Sequence, residues 1–165
     1  KRHDFDIRLR GDGASFNLKS ACFLNESKHI DQQITLNHLG KNTKSAQMIN
    51  NVADSKATAT CNGRIVINSD SSKADASLSN KNLSLGDYVT FNAKPELEIY
   101  NDDVSCSHGA TISQLSESEL FYLTSRGVHP AQAKNIMARG FLNNAVSGPL
   151  QENSIQKLES YFAKI

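Results

Sequence analysis

Residues 102–127 read DDVSCSHGATISQLSESELFYLTSRG, and here the chain passes from one pattern to another. Before this stretch the apolar residues alternate in short runs, the period of strands; after it they recur at helical spacing. Ser116-Glu117-Ser118-Glu119 has the form of a capping box, with Ser116 as N-cap and Glu119 at N3, so a helix is predicted to begin there. Leu120, Phe121 and Leu123 supply its apolar contacts, and Gly127 stands where it stops. Two parts follow from this division: a strand-built region over 1–115 and a helical subdomain over 116–165.

The strands upstream are short. Residues 4–10 (DFDIRLR) place Phe5, Ile7 and Leu9 on one face, and Gly11-Asp12-Gly13 reads as a turn. Phe16, Leu18, Cys22 and Leu24 continue an alternating face, interrupted by Ser20. Ile30, Ile34, Leu36 and His38 share a parity, which predicts His38 as a core histidine with its nitrogens hydrogen-bonded. Ala46, Met48 and Val52 predict another strand. Ala57, Ala59, Cys61, Ile65 and Ile67 share one face, so Cys61 is read as a small buried hydrophobe and Gly63 as a bulge or sharp corner. The segment NSDSSKADASLSN (68–80) is polar enough to read as a turn flanking a brief strand. Leu83 and Leu85 precede Gly86-Asp87; Val89, Phe91 and Ala93 then alternate, Pro95 interrupts, and Leu97 and Ile99 lead to the junction. About nine short strands result, without a countable repeat, and this pattern leaves a sandwich and a stacked β-solenoid both open.

Downstream, Pro130 suits the first turn of a second helix carrying Ala133, Ile136, Met137, Phe141 and Leu142. Ser147-Gly148-Pro149 breaks it, and Ile155, Leu158, Phe162 and Ile165 have the spacing of a third. These apolar stripes are read as mutual packing, with part of them available to dock another protein.

Composition narrows the function classes. A net charge of +1 lacks the basic footprint of a nucleic-acid binder. No long apolar run or signal-peptide pattern appears, so a soluble, non-secreted protein is expected, and the start at Lys1 without methionine fits the expectation of a fragment or trimmed form of something longer. Cys22, Cys61 and Cys106 are odd in number and far apart, which fits neither a closed zinc site nor a disulfide framework and points to a reducing, cytoplasmic compartment. Asn and Ser are abundant and no proline precedes Pro95, so tight corners and stacked Asn ladders are expected.

The chemistry sits at the junction. Val104, Cys106 and His108 share a parity; on a strand, Cys106 and His108 leave one face about 6.8 Å apart. That spacing lets a thiolate and an imidazole reach one metal from either side, yet two ligands do not make a stable site, so any metal would be transient or shared. A buried cysteine beside a turn-bonding histidine is the plainer alternative. A thiol–imidazole nucleophile is another, though nothing in the sequence supplies an oxyanion hole or an orienting third group.

PELEIYNDDVSCSHGATISQL (95–115), followed by ELFYLTSRGV (119–128), resembles the SufB/SufD family of iron–sulfur cluster assembly scaffolds. CSHGAT after DDV is similar to the SufD branch; Thr35-Leu36-Asn37-His38 and NKNLSL (80–85) are similar to other stretches of the family. Asn62-Gly63-Arg64-Ile65 matches in part, because Cys61 stands where an aromatic residue is usual. The likeness covers about residues 25–146, with 1–24 and the segment after Pro149 looser.

This resemblance implies a mainly β fold, a right-handed parallel β-helix over 1–115 followed by the small helical subdomain. It also implies a non-enzymatic scaffold subunit, the C-terminal part of a longer chain, that pairs with SufB through the edges of two β-helices and docks the SufC ATPase on its helices. His108, with Cys106 beside it, is then the cluster-side pair, meeting a transient iron–sulfur cluster whose other ligands come from SufB; no cofactor is expected to stay tightly bound to the isolated chain. Phe121, Tyr122 and Arg126 are the expected SufC contacts, and a symmetric homodimer is expected where SufB is absent. A metal- or thiol-dependent enzyme on a β-helix is the competing reading. A sugar-binding surface protein is a weaker one, since few aromatics are present for stacking.

Overall fold

A computed structural model describes residues 1–146 and Gln156. Alternating inward residues make eight strands: β1 (Arg2–Leu9), β2 (Ser15–Leu24), β3 (His29–His38), β4 (Lys44–Ala53), β5 (Thr58–Ile67), β6 (Ala74–Ser84), β7 (Thr90–Ile99) and β8 (Val104–Gln114). Two helices follow, α1 (Glu117–Ser125) and α2 (Pro130–Asn143). Every strand pairing is parallel, and the strands sort into two sheets, β1-β3-β5-β7 and β2-β4-β6-β8. Consecutive strands thus lie in opposite sheets and alternate strands stack, which is a β-solenoid of four turns.

A repeat does exist. Arg2 pairs with Asp31, His29 with Thr58 and Thr58 with Thr90, offsets of 29, 29 and 32 residues. In the other sheet Ser15 pairs with Lys44, Lys44 with Asp75 and Ala74 with Val104, offsets of 29, 31 and 30. Corners of four to six residues shift the phase from coil to coil, and this hides the period in the sequence. Five of the seven corners share one backbone device, a left-handed residue at an equivalent place. Gly13, Asn42 and Lys73 have φ of 70°, 54° and 57° at one corner, and Glu26 and Ser55 have 60° and 62° at the other. Each corner bonds to the next coil, as in Gly13 N–H to Lys41 O (2.8 Å) and Asn42 N–H to Ser72 O (2.9 Å). Only Asn42 among these is an asparagine; Asn68 and Asn101 serve a corner differently, accepting from the N–H of Ser69 and Asp103.

The interior is mixed in polarity, and several readings change for that reason. Strand β4 turns Ser45, Gln47, Ile49, Asn51 and Ala53 inward, not Ala46, Met48 and Val52; Ala46 is exposed, and Val52 is buried on the outer face. The polar run 68–80 gives the full strand β6, with Ala74, Ala76, Leu78, Asn80, Asn82 and Ser84 facing in. Gly63 lies in an unbroken ladder, with neither bulge nor corner: a Cβ there would meet Leu78 Cδ2 at 2.6 Å, so glycine makes room for a side chain crossing the interior. Pro95 does not interrupt β7. Thr90 and Tyr100, at either end of β7, donate to the coil below, so alternation turns Pro95's missing N–H to the free edge, where it costs no bond.

Other expectations hold. His38 is fully buried, with Nδ1 2.8 Å from Thr43 Oγ1 and Nε2 2.9 Å from Ser45 Oγ. Cys61 is buried within the cluster of Ile34, Ile49, Ile65 and Ile67. Asn51 Nδ2 donates to Asn82 Oδ1 at 3.0 Å, one rung of the expected ladder. Ser116 caps α1, accepting from Glu119 N–H at 3.3 Å; Gly127 (φ 87°) ends it, and Pro130 begins α2.

A second core lies outside the solenoid. Ala138 and Leu142 of α2 pack on Val52, Leu83 and Leu85, with Leu115 and Phe23 beside them, and Asn50 Nδ2 donates to Phe141 O at 2.8 Å. The α2 stripe therefore includes Ala138 and excludes Ile136, which is exposed; Phe121 of α1 is exposed as well, and α1 buries no residue. Apart from Gln156, which is helical, the third predicted helix lies outside the described residues.

Candidate interface site at the open end of the solenoid

Strand register decides what Cys106 and His108 face. Cys106 stacks on Ala76, which stacks on Ser45; His108 stacks on Leu78, which stacks on Gln47. All four residues beneath them are buried interior positions. Both therefore end interior columns. In sheet order β8 has β6 on one side and, among the described residues, no strand on the other, because after Gln114 the chain leaves the solenoid for α1. Positions that would be sealed one coil lower are accordingly open: Cys106 is half-buried, packed like Val104 and Leu97 on the buried cluster that includes Ala76 and Leu78, and His108 is exposed.

Around this pair the end of the solenoid is largely apolar. Ile112 and Ile99 are 60% and 44% exposed, and Leu97, Val104 and Pro95 are half-buried. Strand parity alone reads these as core residues, so only the absence of a coil over them makes them a surface.

Electrostatics separate the three thiols. Burial pushes Cys22 and Cys61 up to about 11, so both stay protonated and inert near neutral pH. The Cys106 thiol is also raised, by burial first and the Asp75 carboxylate second, against an opposing contact from the Ala76 N–H. Among the described residues no hydrogen bond joins Cys106 to His108, and no group of three or more His, Cys, Asp or Glu side chains is placed to hold a metal ion. The pair offers one soft and one borderline donor on one exposed edge, an incomplete ligand set.

The other predicted contacts lie on the helices. Phe121 and Tyr122 are 72% and 55% exposed, and the Arg126 guanidinium carbon sits 3.8 Å above the centre of the Tyr122 ring. Beside them Ser118, Glu119, Tyr122, Leu123 and Met137 line a shallow groove of about 430 Å³. These residues do not join Cys106 and His108 in one site. Met137 and the exposed Ile136 escaped the sequence reading as surface features, because both fall on an apolar stripe.

No helix among the described residues is long and apolar enough to cross a membrane. Over residues 1–141 the chain matches the family described as SUF system FeS cluster assembly, SufBD core domain, so the match includes the N-terminal strands that looked loosest. It is 31% identical to the iron-sulfur cluster assembly protein SufD of Escherichia coli (strain K12) over 140 residues, 85% of this chain and 33% of that protein. It is 39% identical over 108 residues to an iron-sulfur cluster assembly SufBD family protein of Synechocystis, covering 66% of this chain and 23% of the relative. The iron-sulfur cluster assembly protein SufB of Bacillus subtilis is 28% identical over 134 residues, 81% of this chain and 29% of the relative. The chain thus spans a third or less of the length of these relatives. With that profile match laid over a four-turn solenoid and its helical pair, the chain belongs to the SufB/SufD family of iron–sulfur cluster assembly proteins, on its SufD-like side.

Proposed function

We propose that this chain is a scaffold subunit that presents Cys106 and His108, at the open end of its solenoid, to a nascent iron–sulfur cluster. The observation that carries this reading is the opening of two interior columns at β8, which leaves a thiol and an imidazole on one accessible edge. Clusters are held by about four protein ligands, so two donors call for a second protein. A SufB-type solenoid suits the role: its own end would meet the apolar rim of Ile99, Leu97 and Ile112, and pair with the free edges of β7 and β8. The cluster is then cargo assembled between the two chains, with neutral imidazole as a nitrogen donor and the Cys106 thiol losing its proton as it ligates. No cofactor stays tightly bound to the chain alone, and the chain catalyses no turnover by itself.

A SufC-type ATPase docks on the helices in this scheme, with Phe121, Tyr122 and Arg126 beside the Met137 groove as contacts. Without SufB the same open edges pair two copies of this chain. The setting is the cytoplasm, where thiols stay reduced. A thiol enzyme is less well supported, because Cys106 is held toward its protonated form and lacks a bond to His108.

Co-expressing the full-length protein with its SufB-type and SufC-type partners, followed by anaerobic reconstitution with iron and sulfide, tests this. His108→Ala is expected to leave the complex intact and to cut cluster content at least about tenfold. Wild-type cluster content in both His108→Ala and Cys106→Ser would remove the site assignment.

A further inference from the structure

The strand that carries Cys106 and His108 is an edge strand and the most exposed in the solenoid. Among the described residues it has one sheet neighbour, β6, and nearly all of its residues are exposed. Beyond the backbone ladder, its C-terminal half is tied down by one buried side chain. Asn82, 2% exposed, donates from Nδ2 to Thr111 O at 3.1 Å, three residues from His108. Its Oδ1 accepts from Asn51 Nδ2 at 3.0 Å, which anchors the amide to the coil below. Its backbone carbonyl accepts from Ser113 Oγ at 3.3 Å. Asn82 therefore joins three successive strands, β4, β6 and β8, through a short chain of hydrogen bonds directed toward the open end.

We propose that Asn82 is a positioning residue for the Cys106–His108 edge, fixing the height and twist of β8 over the interior. An amide suits this task because it donates upward and accepts from below at once; leucine does neither. Asn80 provides an internal comparison. It lies on the same strand and the same face and is equally buried, yet its Oδ1 makes no hydrogen bond among the described residues. Two asparagines alike in sequence context thus differ in what they hold.

The functional weight of this inference rests on the proposed role of Cys106 and His108, but its test does not. Purified wild-type chain is compared with Asn82→Leu, Asn82→Ala and Asn80→Leu by amide hydrogen exchange over residues 104–114. Maleimide labelling of Cys106 is read alongside by peptide mapping, which separates it from Cys22 and Cys61. In the Asn82 variants, exchange at β8 and labelling of Cys106 are expected to rise roughly fivefold or more, the change that loss of a buried hydrogen bond brings. Asn80→Leu is expected to leave both at the wild-type level. Equal loosening in Asn80→Leu, or none in either Asn82 variant, overturns the proposal. Exchange of the Asn82 side-chain Nδ2–H in the wild-type chain, followed by ¹⁵N NMR, keeps the test readable should the Asn82 variants not fold: protection like that of the β6 ladder amides supports the tie to Thr111 O, and exchange as fast as that of exposed asparagines overturns it. If His108 proved unconnected with cluster formation, these exchange results would stand unchanged.

Discussion

His38 makes the energetic logic visible at the scale of one residue. Thr43 Oγ1 donates its proton to Gly40 O (3.2 Å), so it accepts from His38 Nδ1–H, and with the ring neutral Nε2 accepts from Ser45 Oγ–H. The ring is neutral in this arrangement, and burial lowers its pKa from the ordinary 6.5, with the Asp75 carboxylate opposing. Because the unfolded chain takes up this proton more readily, the contribution of neutral His38 is fully present above about pH 6.5 and declines as pH falls through and below that value. Denaturant midpoints between pH 7.5 and pH 5 are thus expected to drop more steeply in wild type than in His38→Gln; parallel slopes would contradict the assignment. The burial of His38 and Cys61 could be read from parity, since apolar neighbours mark their face. Gln47 could not: it is 2% exposed, and both of its amide atoms lack a hydrogen bond among the described residues, so no polarity rule places it inside.

Among the elements, β5 and β6 are fitted to each other through Gly63 and Leu78. The 2.6 Å approach between a hypothetical Cβ and Leu78 Cδ2 predicts that Gly63→Ala destabilises by about 1–3 kcal/mol, through overpacking in a sealed interior. Leu78→Val in the same chain should recover part of that loss, a coupling that a double-mutant cycle by chemical denaturation would measure. Additive effects would show that the two side chains do not compete for the space. This same pair explains why the sequence misleads locally. An isolated glycine in an alternating run signals a bulge by habit, whereas here the reason lies on a strand of the opposite sheet, 15 positions along the chain. Strand β6 was obscured in a similar way, because its inward residues include Asn80, Asn82 and Ser84, which bury amides and a hydroxyl where patterns expect apolar side chains. The helices were more legible. Their start and stop signals are local: a Ser116 hydroxyl on a free N–H, a proline at the first turn, a glycine at positive φ.

At the scale of the whole molecule, two faces carry the functional account, and the fold separates them. One is the solenoid end with Cys106 and His108; the other is the exposed side of α1 and α2. A shared cluster of Val52, Leu83, Leu115 and Leu142 binds α2 to the sheet that supplies β8, and α1 packs on α2, so both faces belong to one packed body. The paired donors were legible as a motif, two residues apart on one strand. Their accessibility was not, because parity says only that they point inward, and it is the departure of the chain into α1 after Gln114 that leaves them uncovered. The most direct measurement is pulsed electron paramagnetic resonance on the reduced cluster in the assembled complex, with ¹⁵N-histidine incorporated in this subunit alone. A ligating His108 predicts a ¹⁵N coupling at the cluster that disappears in His108→Ala; a cluster showing no such coupling, or one that keeps it in that variant, would contradict the account.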